Sequence, residues 1–252
     1  MEKINYITFS SIPSSLPSSL QIIKTCESLS KYEHDVTLIK PGTGNKKLSI
    51  NKYYGIKNKV NIEEFKIFKR FPRGLNFYLY SLFCLFFVLK KSSSITITRN
   101  YFICYLLILF KQKVILEIHH DTKIEGRITK FILKYSNFLN KKYLVNIVAI
   151  TNSVKDLFIT KYNVNSKKIT VLPSGSSIKI NYLPKFNNNK RMKIGYFGSI
   201  SPSKGINTLI KLSKIDPSND YYIYGGSKKE ISRIKMLNSN KNLFLNESIP
   251  YA

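Results

Sequence analysis

Along the chain, short apolar runs alternate with longer stretches in which apolar residues return every three or four positions. The short runs have strand lengths and β-branched or aromatic composition, and the longer ones carry the helical period. Residues 4–9 (INYITF) predict a strand, and residues 10–19 a loop rich in Ser and Pro. A helix follows over 20–32, with apolar positions at 20, 22, 23, 26 and 29. Residues 35–41 predict the next strand, closed by Pro41 and Gly42. Residues 46–73 are polar without a steady period and predict a weak strand among loops. Beyond them come a helix at 75–90, a strand at 94–98, a helix at 101–110, a strand at 113–120, a helix at 124–141 and a strand at 146–151. Asn152 or Ser153 is expected to cap a helix that runs to Tyr162, and residues 168–175 predict one more strand.

Strands alternating with helices in this way predict a parallel sheet covered on both faces. Ligands of such sheets sit beyond the carboxyl ends of the strands. That rule singles out residues 10–15, Arg99, residues 119–121, Thr151 and residues 174–177. The polar stretch 179–191 (KINYLPKFNNNKR) reads as a linker. The pattern then restarts, with strands at 192–199, 221–226 and 242–248 and helices at 204–214 and 228–237. So few elements cannot bury both faces of an open sheet, so this second part is expected to be a partial domain. The expected organisation is α/β with two Rossmann-like domains: a complete one at 1–178, the linker at 179–191, and a partial one at 192–252.

Charge widens the picture. The 252 residues include 41 Lys or Arg against 14 Asp or Glu, a formal net charge of +27. Such an excess attracts polyanions. Yet the lysines are scattered, and the abundance of Lys, Asn, Ile and Ser matches the coding bias of an AT-rich genome. No RNP or helix-turn-helix pattern is present, and nucleic acid is not expected as a partner. Cys26, Cys84 and Cys104 are far apart in apolar surroundings, without metal-ligand spacing, and suggest a reducing compartment. The first residues lack a basic segment followed by a long apolar one, so no signal peptide is expected. The most apolar run, residues 75–89, is shorter than the ~20 residues that span a bilayer. It is a buried helix or an interfacial one. A cytoplasmic location is expected, with an anionic membrane surface at the inner face of the plasma membrane as a partner.

Three stretches could carry chemistry. In IGYFGSISPSKGINTLIKL (194–212) a strand ends at Gly198, and Lys204 and Gly205 stand where a helix begins. Amide donors at a helix start suit an anion, and a Lys adds charge. The spacing is neither a dinucleotide fingerprint nor a P-loop, so an ordinary turn fits as well. In LEIHHD (116–121), His119 and His120 end a strand and point to opposite faces. LPSGSS (172–177) is by itself a turn.

Taken together, these segments resemble the bacterial family-4 glycosyltransferases of the GT-B fold. The resemblance runs in order through IPSSLPSSLQIIKTCESLSKYEHDVTLIKP, ITITRN, VILEIHHD, VAITNSVKDLFITKYNVNSKKITVLPSGSS, IGYFGSISPSKGINTLIKL and YYIYGGS. It implies a retaining glycosyltransferase that uses no divalent metal and no cofactor. Its substrates would be a nucleotide-sugar donor and a glycan or lipid-linked acceptor. It implies Lys204 as a contact to the donor diphosphate, with Gly198 ahead of it and Gly205 beside it. His119 would lie near the transferred sugar. Ser14 and Ser15 would belong to the loop facing donor and acceptor, Gly225 and Gly226 would line the nucleotide cleft, and Arg99 would be a weaker cationic contact. Ser174 stands before Gly175 where many members have Asn. Ser199 stands where many have Arg, which removes one cationic contact. The paired glutamates of the family's donor domain have no counterpart up to residue 252, so the chain is expected to be a fragment. Two alternatives remain open: a catalytically inactive truncated protein with a membrane- or anion-binding role, and another two-domain Rossmann enzyme such as an epimerase.

Overall fold

Alternation along the strands places one set of side chains on each face of a sheet, and here it builds two separate cores. The computed structural model describes residues 1–42, 49–65, 72–91, 94–175, 191–238 and 240–248. The chain divides into two units, Met1–Ser176 and Ser177–Tyr251.

Among the described residues, the first unit has seven strands: β1 (Lys3–Ile7), β2 (Asp35–Pro41), β3 (Asn61–Phe65), β4 (Ser94–Thr98), β5 (Val114–Ile118), β6 (Leu144–Ala149) and β7 (Ile169–Val171). All pairs are parallel, in the order β3-β2-β1-β4-β5-β6-β7. The helices described between them are α1 (Pro17–Lys31), α2 (Ile50–Tyr54), α3 (Arg73–Lys90), α4 (Tyr101–Leu109), α5 (Arg127–Tyr135) and α6 (Asn152–Tyr162). Ile7 and Ile39 join a core with Cys84, Leu85 and Val88 of α3, Cys104 and Leu107 of α4, Leu133 of α5 and Phe158 of α6. Their strand neighbours Tyr6 and Leu38 face the other way, onto Ile22, Ile23 and Cys26 of α1 and Tyr54 of α2. Helices α3 to α6 therefore cover one face, and α1 and α2 the other. The three cysteines are free and buried inside these layers, where burial pushes each thiol up.

The second unit holds β8 (Lys193–Phe197), α7 (Ile206–Ile215), β9 (Asp220–Tyr224), α8 (Lys228–Leu237) and β10 (Leu243–Asn246), with parallel strands in the order β10-β9-β8. Ile206 and Ile231 of its helices pack with Ile200, Ile223 and Leu245 on one face. On the other face aromatic rings stack across strands: Phe197 on Tyr224 at 5.1 Å, and Tyr222 on Phe244 at 4.6 Å. Among the described residues, both helices of this unit lie on the first face.

The two-sheet α/β architecture is the one expected, but several local boundaries differ. The helix expected at 124–141 is split. It ends at Tyr135, and Asn137 takes a left-handed conformation (φ 46, ψ 28) that a helical ladder cannot continue through but that Asn tolerates. The cap of α6 is Thr151 rather than Asn152 or Ser153. Thr151 is extended and its hydroxyl accepts from the Val154 amide at 3.2 Å, whereas the next two residues are already helical. Helix α1 starts three residues early because Pro17 presets the helical φ at the first position. The polar region 46–73 contains α2 and β3, and its remainder lies in part outside the described residues. Residues 179–190 of the expected linker, together with 249–252, also lie outside them. Among the described residues, no helix is long and apolar enough to cross a membrane.

Gly225 is required by close approach: a Cβ there would meet the Gly198 carbonyl oxygen at 1.7 Å. Gly225→Ala is expected to destabilise the second unit by about 1–3 kcal/mol, the usual cost of forcing extra volume into a packed site. Hydrogen exchange checks this. The amides of β8 and β9 should lose protection while those of β1 to β7 keep theirs.

Candidate functional site

In the first unit the strand order reverses between β1 and β4, the position at which sheets of this type open for a ligand. Three strands deliver side chains there on the α1 side. Tyr6 lies one residue before the end of β1, Arg99 follows β4, Glu117 lies one residue before the end of β5, and His119 follows β5. Their common partner is one carboxylate oxygen. Glu117 Oε2 accepts from the Tyr6 hydroxyl at 2.9 Å and from Arg99 Nε at 2.8 Å, and lies 3.4 Å from His119 Nε2. Burial pushes the Glu117 carboxyl up. His119, the Arg99 guanidinium and the Tyr6 hydroxyl together pull it further down, so it stays below the ordinary carboxylate range. The Tyr6 phenol moves the opposite way, raised by burial and by the nearby Glu117 charge. The Nη2 atom of Arg99 is buried and makes no hydrogen bond to the described residues. Arg99 thus keeps donor capacity beyond its bond to Glu117.

Other expected site residues are placed differently. Ser14 is occupied in shaping its loop: its amide donates to the Tyr54 hydroxyl at 2.7 Å, and its hydroxyl pairs with Ser19 at 2.8 Å. Ser15 is exposed. Ser174 accepts from Gln21 Nε2 at 2.8 Å, which ties the end of β7 to α1. Gly175 has open space around its α-carbon. His120 is exposed and turns to the Asp121 carbonyl at 3.0 Å, away from Glu117. The opposite orientation of the two histidines is as the strand period requires.

In the second unit the carboxyl edge of the sheet gathers Gly198, Ser199, Lys204, Gly205, Gly225 and Gly226. The Gly198 amide donates to the Tyr224 carbonyl at 3.0 Å, and the Gly225 amide to the Asn246 carbonyl at 3.1 Å. The Ser199 carbonyl accepts from the Tyr196 hydroxyl at 2.7 Å, which pins the loop. Gly226 lies against Ile200, where a Cβ would come within 2.4 Å of Cδ1. Lys204 does not begin the helix as expected. It closes a 3-10 turn at Pro202–Lys204, and Gly205 follows in the left-handed region (φ 78) to cap α7. That conformation costs a glycine little and other residues about 1 kcal/mol or more. Lys204 is exposed, one residue before the positive end of a ten-residue helix. This edge can receive an anion on backbone donors with a cation alongside. Among the described residues, no group of three or more His, Cys, Asp or Glu side chains is arranged to hold a metal ion.

Sequence reasoning found Arg99 and His119 but passed over the two groups that bind them together. Glu117 carried a usable signal, since a carboxylate inside an otherwise apolar strand needs charged or hydrogen-bonded partners. Tyr6 carried none, because a tyrosine in a strand most often serves as core.

No protein-family model matches the chain, and no curated protein matches it by sequence. Solved structures do. Anabaena HepE, in complex with UDP and glucose, is 14% identical, with a TM-score of 0.65 over 99% of this chain and 70% of its own. S. aureus TarM, in a complex that includes UDP, is 12% identical, with a TM-score of 0.67 over 99% of this chain and 78% of its own. A Listeria monocytogenes protein described as a UDP-N-acetylglucosamine 2-epimerase is 9% identical, with a TM-score of 0.61 over 99% of this chain and 70% of its own. At these identities the likeness establishes the shared two-domain α/β fold.

Glu117→Gln removes the charge that compensates Arg99 and is expected to destabilise the protein by about 1.5–3 kcal/mol, the scale of hydrogen bonds to a charged group. The folded Glu117 carboxyl titrates below its ordinary value of 4.5. Its contribution is therefore present above that pH and lost as the pH falls through the depressed folded value. Denaturant melts from pH 7 down to acid should show the variant's deficit shrinking below about pH 4.5.

Proposed function

We propose that the protein is a retaining glycosyltransferase that moves a sugar from a nucleotide-diphosphate donor to a lipid-linked or surface-polysaccharide acceptor. The observation that carries this reading is the edge of the second unit, where the α7 amino end, Gly205 and Lys204 offer fixed donors and one positive charge. A diphosphate that leaves without a metal needs such groups where its negative charge develops. The fold supports the same reading, because HepE and TarM share it and were solved with UDP.

In this reading the bond between the sugar C1 and the diphosphate oxygen breaks, and its electron pair stays on the diphosphate. The acceptor hydroxyl oxygen bonds to C1 on the same face, and its proton passes to the departing diphosphate. Lys204 neutralises the charge that appears. His119 contacts sugar hydroxyls, with its ring oriented by Glu117. Arg99 supplies a further cation. Ser199 contributes no charge, so Lys204 carries more of the task than it would beside an arginine.

An epimerase acting on a nucleotide sugar would use the same diphosphate edge, as the likeness to the Listeria protein warns. Product analysis separates the two: glycosyl transfer requires an acceptor and releases free UDP, whereas epimerisation does neither. Calorimetric titration with UDP tests the edge itself. Lys204→Ala is expected to weaken binding by about 1–3 kcal/mol, the loss of one charge-assisted contact. An unchanged affinity would remove Lys204 from the site.

A further inference from the structure

Helix α5 has the most uneven surface in the first unit. Thr129 and Leu133 are buried, and Ile132 is half-buried. On the exposed side Ile128, Phe131 and Tyr135 follow the helical repeat along one flank. They are 51%, 65% and 63% accessible. Ile124, in the turn just ahead, is 77% accessible. The Phe131 and Tyr135 rings lie 4.8 Å apart. The other flank of the same exposed side carries Arg127, Lys130 and Lys134. Leaving this much apolar surface in water is unfavourable, at about 25 cal/mol per Å².

A cavity of about 740 Å³ opens on the basic flank. It lies along α5, between that helix and the end of α6, and is lined by Lys123, Lys130, Lys134 and Lys161 together with Thr122 and Tyr162. Two acidic groups lie nearby: Glu125, on whose carboxyl the Lys130 charge acts, and Asp121, whose Oδ2 is 3.8 Å from Lys123 Nζ. Lys161 Nζ engages Asp121 at 2.7 Å and also meets the Thr122 hydroxyl at 3.2 Å. Lys130 Nζ donates to the Lys123 carbonyl at 2.6 Å. The four lysines therefore outnumber the two carboxylates near them, which leaves positive charge for an anion to meet. Helix α4, which packs beside α5, leaves Leu109 and Phe110 exposed as well.

We infer that α5 and the lysine-lined cavity beside it form a docking surface for an anionic phospholipid membrane. The apolar flank enters the boundary between headgroups and acyl chains, and the lysines take lipid phosphates. The two features support each other. A nucleic acid would use the lysines but gives the apolar flank no partner, and an apolar protein partner would leave the cavity uncompensated. Helices with one apolar and one basic exposed flank lie in the membrane interface in this way. The inference does not rest on the glycosyl-transfer reading, because neither flank belongs to the groups around Glu117 or Lys204.

The chain has no tryptophan, so Phe131→Trp introduces a single fluorescent reporter on the apolar flank. Addition of vesicles of phosphatidylcholine with phosphatidylglycerol should shift its emission to the blue. Phosphatidylcholine vesicles alone, inorganic phosphate and a short DNA duplex should not. Met236→Trp, on the exposed surface of α8, should show no shift. In vesicle sedimentation, Ile128→Ser with Phe131→Ser and, separately, Lys130→Glu with Lys134→Glu should each lower binding by about tenfold or more. Raised salt should weaken the unaltered protein. Circular dichroism of each variant confirms that the fold is kept. The proposal is overturned if the indole does not shift, if binding is independent of salt, or if the Ile128 and Phe131 variant binds as well as the unaltered chain. A shift produced equally by DNA would overturn it in favour of a nucleic-acid surface. UDP affinity is measured in parallel and should be unchanged by every α5 variant, so that failure here and failure of the catalytic reading remain distinct.

Discussion

One carboxylate organises the working end of the first sheet. Glu117 lies on an apolar strand, where an uncompensated charge would be expensive. Its cost is met by a phenol from β1, a guanidinium just after β4 and an imidazole just after β5. Those partners come from the two strands flanking the point where the sheet reverses order and from β5 beside them. Satisfying one charge thus ties together three strand ends that the backbone ladders have brought side by side. It also holds Arg99 and His119 in place, so that neither has to be ordered when a ligand arrives.

The second unit reaches a similar result by different means. Its edge is organised by backbone approach rather than by charge. Gly225 lies so close to the Gly198 carbonyl that no side chain fits, and the loop after β8 is tied down by Tyr196. The consequence is a surface of main-chain groups with Lys204 as an exposed cation beside it. Fixed dipoles beside an exposed charge suit a ligand whose charge changes during reaction, because the dipoles need no rearrangement.

The large positive charge acquires meaning only in three dimensions. Several cations are absorbed by structure: Lys40 is buried and reaches Glu64 at 2.6 Å across β2 and β3, and Arg191 reaches Asp220 at 2.7 Å. Others converge where the sequence shows only scatter. Lys123, Lys130 and Lys134 come from one segment and Lys161 from another, and they meet because the end of α6 returns beside α5.

The sequence by itself determined the α/β class, the alternation of parallel strands and helices and the restart of the pattern near residue 192. All of these rest on local periodicity and on turn chemistry that neighbours in the chain can express. It also marked Arg99 and His119, since polar residues after parallel strands fall on the ligand edge whatever the rest of the fold does. Tertiary structure decided the remainder. Helix limits at Asn137, Thr151 and Gly205 depended on which residue takes a left-handed or extended conformation, a choice that periodicity does not encode. The partnership of Tyr6, Arg99 and His119 through Glu117 spans 111 residues of chain between Tyr6 and Glu117. Only the strand order brings such distant groups within hydrogen-bond reach, and no local pattern records strand order.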